Sequence, residues 1–161
     1  MVVVMSVQLF GGFEKEIVGK WKWQSEATLF EGIVTVMGVE TQYHSDNRAS
    51  YRANIEFYLV EENKRTLLAH YEVKGEQKWE IKGDELITSN PRPQIETKQD
   101  TTQAQKKYPH LEPILFMIDQ SVKDTTTQES KSTIISIDSK KMLFRSEGEE
   151  IVATRVKLFK K

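Results

Sequence analysis

The chain has 161 residues, the size of one domain, and a domain of that size hides roughly 70% of its unfolded surface. Lys and Arg number 23 against 24 Asp and Glu, and the formal charge of −1 leaves no global basic field for nucleic acid or an anionic membrane. The absence of Cys excludes disulfides, thiolate metal sites and a cysteine nucleophile, and is compatible with a reducing or an oxidising compartment.

Met1 to Phe10 is apolar but lacks a positive n-region, carries Gln8 and runs into Gly11-Gly12 rather than a cleavage-like site. A complete signal peptide is therefore not expected, and nothing approaches the roughly 18 apolar residues of a membrane span. Two alternatives are an early start codon and an N-terminal arm over 1–16 whose Val2, Val3, Val4, Leu9 and Phe10 pack on the body; the arm is favoured. The compartment stays open, leaning cytoplasmic.

The dominant pattern that follows has period two. Ile17 to Ser25 and Ile33 to Tyr43 read as strands, with Gly38 where a long strand bends or bulges. From Ala49 to Leu59, Tyr51, Ala53, Ile55 and Phe57 alternate with Arg52, Asn54, Glu56 and Tyr58, as a strand with one dry and one wet face requires. Glu61 to Lys64 reads as a hairpin loop, and Leu67, Ala69, Tyr71 and Val73 continue the alternation. Gly75 is expected to break the ladder before Gln77, Trp79 and Ile81, and Gly83-Asp84 supplies a tight turn before Leu86 and Ile87.

All four prolines, Pro91, Pro93, Pro109 and Pro113, lie in one segment. Proline lacks the N–H that a ladder interior needs, so 90–130 reads as a connector, polar and exposed at least to Lys107. Within it Leu111, Ile114, Leu115, Ile118 and Val122 recur at helical spacing and predict an amphipathic helix over 112–122. Thr133 to Ile137, Met142 to Arg145 and Ile151 to Lys157 form a closing meander. Eight to ten short strands with tight links predict one all-β domain over 1–161, an antiparallel sandwich or barrel with little helix.

Gly19-Lys20-Trp21 on the first strand resembles the Gly-x-Trp element of the lipocalin-like branch of the calycins. The order of the remaining elements is similar to its small, mostly uncharacterised bacterial members: a Tyr43-to-Tyr51 turn, two strands, a Gln77-to-Leu86 hairpin containing Trp79 and Gly83-Asp84, and a last-strand Thr154-Arg155 pair. The resemblance covers Ile17 to Lys157 and implies an up-and-down β-barrel. It departs from the family where Asp46 is followed by Asn47-Arg48 rather than a single Gly, and in the length of the connector. It further implies that Trp21 plugs the closed end of the barrel beside Gly19, with Arg155 stacked across it.

Alternation places Trp23 on the face of Trp21 and adds Tyr51, Ile55, Phe57, Tyr71, Trp79 and Phe144 to the inward set. A barrel of about eight strands is either filled by side chains or holds one small ligand. The inward aromatics fit either a packed core or an apolar pocket with tyrosine hydroxyls as anchors; the resemblance tips the balance to a pocket for a small hydrophobic molecule. The alternative is a filled barrel acting as a structural or interaction module, a homodimer included, through the arm or through Phe116-Met117. His44, His70 and His110 share no metal-ligand spacing, no Gly-x-Ser-x-Gly elbow occurs, and no carboxylate pair can be assigned to one pocket. No cofactor, metal or catalytic group is expected, and an enzyme on this scaffold is the least supported class.

Overall fold

The computed structural model describes residues 13–126 and 128–157. A helical turn, α1 (residues 13–17), leads into eight strands: β1 (Gly19–Phe30), β2 (Ile33–Tyr43), β3 (Arg48–Glu61), β4 (Lys64–Lys82), β5 (Glu85–Gln99), β6 (Ser130–Ile137), β7 (Lys141–Ser146) and β8 (Glu149–Arg155). Between β5 and β6 lie α2 (Thr102–Lys107), a 3₁₀ turn (Pro109–Leu111) and α3 (Glu112–Thr126). Each strand pairs antiparallel with its sequence neighbour, and β1 pairs back onto β8 through Trp21 opposite Arg155 and Lys22 opposite Thr154. The result is a closed up-and-down barrel, all-β apart from the helical connector. The arm residues Val2, Val3, Val4, Leu9 and Phe10 lie outside the described residues.

The structure corrects three boundaries. Ile17 belongs to α1 and is fully buried; β1 begins only at Gly19. Gly75 does not break the ladder: β4 runs unbroken for 19 residues, with Gly75 opposite Tyr51 on β3. The residues from Asn90 to Gln99 are strand rather than loop. Beyond Thr88, where β6 begins at Ser130, β5 pairs with β4 alone, so Pro91 and Pro93 sit on a one-sided edge where a missing N–H costs no ladder bond.

Side chains of the closed wall meet in two packed clusters. One surrounds Ile17, Trp21, Tyr43, Trp79, Ile134, Met142 and Ala153 at the α1 end. The other joins Ile33, Phe57, Leu68 and Tyr71 to Leu115, Ile118 and Val122 of α3. Leu68 is the extra residue of a β-bulge, since Phe57 pairs with Ala69 and Tyr58 with Leu67. This lets both Leu68 and Ala69 be buried, widening the apolar surface that α3 covers. Among the described residues no helix is long and apolar enough to cross a membrane.

Candidate functional site

Gly19, Trp21 and Arg155 come together at the α1 end. The Arg155 guanidinium lies 4.3 Å from the centroid of the Trp21 ring. Its Nη1 donates to the Val18 carbonyl at 2.9 Å, and its Nη2 donates to the carbonyl of Glu16. The Trp21 indole N–H donates to the Ile17 carbonyl at 2.8 Å, so the ring is held from α1 and from β8 together. Gly19 has φ of 134°, and a Cβ there would collide with Arg155 Nη1. Only glycine lets the chain leave α1 beneath that guanidinium.

Trp79 belongs to the same end. Its indole N–H is shared between the carbonyls of His44 at 3.1 Å and Arg48 at 3.0 Å, and Asn47 Nδ2 donates to the Trp79 carbonyl at 3.1 Å. Asn47, standing where the resembled family carries Gly, takes φ of 65°, which Asn tolerates better than most residues. Tyr43 packs edge-on to Trp79 with centroids 5.8 Å apart. At the other end Phe57 and Tyr71 meet edge-on at 6.2 Å, and the Tyr71 hydroxyl donates to Asp119 Oδ1 on α3 at 3.2 Å. Phe57, Tyr71 and Trp79 are therefore end-wall residues.

Between the two clusters lies a cavity of about 340 Å³. Trp23, Tyr51, Ile55 and Phe144 line it, with Trp23 and Phe144 in an edge-to-face pair 5.9 Å apart. Met37, Val39 and Thr41 of β2 also line it; they share the parity of Ile33 and Tyr43, and the alternation of β2 carries that signal. Hydroxyl side chains continue the lining on the same side of the barrel: Ser25 and Ser146 stand two residues beyond Trp23 and Phe144 on β1 and β7, beside Thr88 of β5 and Ser130 and Ser132 of β6, and the Thr88 and Ser130 hydroxyls bond each other. The exposed residues Gln128, Glu147 and Glu149 mark the mouth.

The Tyr51 hydroxyl is pressed against Gly75, where an added Cβ would lie 2.6 Å from it, and it has no hydrogen-bond partner. Burial raises its pKa, so the phenol stays neutral at physiological pH. With Tyr71 engaged by Asp119 and Tyr51 sealed, the hydroxyl-bearing residues left along the cavity are Tyr43 and the Ser and Thr side chains.

A larger groove of about 640 Å³ lies on the outer face of β1 to β5, lined by charges of both signs, including Lys20, Glu40, Arg52 and Lys74. Lys20 pairs there with Glu40 at 3.3 Å, and Arg52 and Lys74 both pair with Glu72, so much of the groove's charge is already engaged within the wall. No group of three or more His, Asp or Glu side chains able to hold a metal occurs among the described residues. His70 is placed 3.0 Å from Asn54 Oδ1, and His110 stacks edge-on to Tyr108. Comparison of the chain with protein-family models finds no match, and comparison with curated proteins finds none either.

Proposed function

We propose that the protein is a lipocalin-like binding protein that takes a small, largely apolar molecule into the interior of its barrel. The observation that carries this reading is the cavity itself. Two packed clusters close the ends of the wall, yet the middle is left open, with Trp23 and Phe144 on one side and a mouth at the β7–β8 hairpin. At about 340 Å³ it lies at the lower end of the roughly 300–1,000 Å³ range of small-molecule sites, which favours a compact ligand over a two-chain lipid. The closed eight-stranded barrel and the Gly19, Trp21 and Arg155 cluster support the family assignment.

The test is a thermal-shift and native mass-spectrometry screen of the full chain against lipids, haem and aromatic metabolites. A binder should raise Tm and change the tryptophan fluorescence, since Trp21 and Trp23 both line the cavity whereas Trp79 does not. A barrel that retains no molecule and shifts with none of these compounds ends the proposal. A second reading rests on Phe116 and Met117, adjacent on α3 and 63% and 52% exposed, which suit a contact with another protein or a second copy.

A further inference from the structure

The charge of the cavity narrows the class of ligand, an inference that rests on the binding reading above. No Lys, Arg or His contributes to the lining; its only formal charges are Glu147 and Glu149 at the mouth. Alternation along the β7–β8 hairpin explains why they are uncompensated. Arg145 and Glu150 face outward and pair with each other at 3.0 Å, which leaves the inward partners Ser146 and Glu149 without a cation. Among the described residues neither Glu147 nor Glu149 has an ion-pair partner.

We infer that the occupant is a small amphipathic cation, an aryl- or alkylamine, with its apolar body against Trp23 and Phe144 and its ammonium group at the mouth between Glu147 and Glu149. The carboxylates attract a positive ligand through space. An ammonium N–H can also donate to serine hydroxyl oxygens, and Ser130, Ser132 and Ser146 line the route from the mouth inward. A fatty acid or other carboxylate would bring a third negative charge to a site that holds no cation.

The experiment titrates the full chain by calorimetry with three probes of matched shape: 2-phenylethylamine, 2-phenylethanol and 3-phenylpropanoate. Exposed charge pairs are weak, so the amine should bind roughly three- to tenfold more tightly than the alcohol, with the carboxylate weakest. Raising NaCl should narrow the gap, because the mouth is solvated. The double variant Glu147→Gln, Glu149→Gln alters only exposed positions of a hairpin and should bring the amine down to the affinity that the same variant shows for the alcohol.

An alcohol that binds as tightly as the amine would overturn the charge inference while leaving the cavity reading intact. So would an amine preference that survives in the double variant. Failure of all three probes, joined to a failed screen, would remove both the cavity reading and this one.

Discussion

Gly19 shows how one missing side chain fixes the closed end. A φ of 134° is a conformation that L residues rarely adopt, and the space a Cβ would occupy is held by the Arg155 guanidinium over Trp21. Gly19→Ala should therefore lose stability twice, through backbone strain and through displacement of a cation–π contact, by about 2–4 kcal/mol in urea denaturation. Gly148→Ala is the control: Gly148 also has positive φ, 79°, but nothing lies where its Cβ would go, so only the strain of about 1–2 kcal/mol is expected. Equal losses for the two variants would mean that Arg155 is not what Gly19 accommodates. The Gly-x-Trp element was legible in the sequence, but the collision that demands its glycine was not, because Arg155 is 136 positions away and meets Gly19 only once the barrel closes.

At the level of elements, α3 divides its side chains sharply. Leu115 and Ile118 are fully buried and Val122 nearly so, at the spacing of one helical face, whereas Phe116 and Met117 point away. Leu115→Ala should cost about 2–5 kcal/mol in chemical denaturation. Phe116→Ser with Met117→Ser should stay within about 0.5 kcal/mol per site, since both residues are more than half exposed. Light scattering then decides the second functional reading: loss of a dimer in the double variant supports it, and a monomer before and after removes it.

The strands of the barrel were legible because alternation is a local signal, and β2 and β3 appear almost where periodicity put them. The second half of β5 was not, because Pro91 and Pro93 forbid a ladder only if a partner lies on both sides, and sequence does not reveal that β6 leaves at Ser130. The polar wall of the cavity was hidden for a related reason. Ser130 and Ser132 face inward, so the hydrophobic pattern that marks an inner face is missing, and the start of β6 resembles loop. Trp23, Tyr51, Ile55 and Phe144 lie among the inward residues that line the cavity, but parity alone could not separate them from Phe57, Tyr71 and Trp79, which do not line it.

Taken as a whole, the barrel stores protons that its unfolded chain would release at high pH. Tyr43 at the α1 end and Tyr71 beneath α3 are both buried, and loss of water pushes each phenol well above its ordinary pKa. Tyr71 is raised further by the Asp119 carboxylate that accepts its hydrogen bond. A folded pKa above the unfolded value of about 10 means that this stabilisation is complete below about pH 10 and is lost as pH climbs towards the folded pKa, because the native state then binds more protons than the unfolded one. Since the wall is one hydrogen-bonded ring joined at β1 and β8, the two ends should fail together in a single transition. Thermal melts from about pH 8 to pH 12 should show Tm constant at first and falling beyond about pH 10. Combining Tyr43→Phe with Tyr71→Phe removes both phenols and should make that fall shallower, leaving the smaller contributions of Tyr51 and Tyr58, whose pKa values are also raised. A Tm that falls equally steeply in the double variant would place the alkaline weakness elsewhere, and two separated transitions would show that the ends of the barrel are not coupled through its wall.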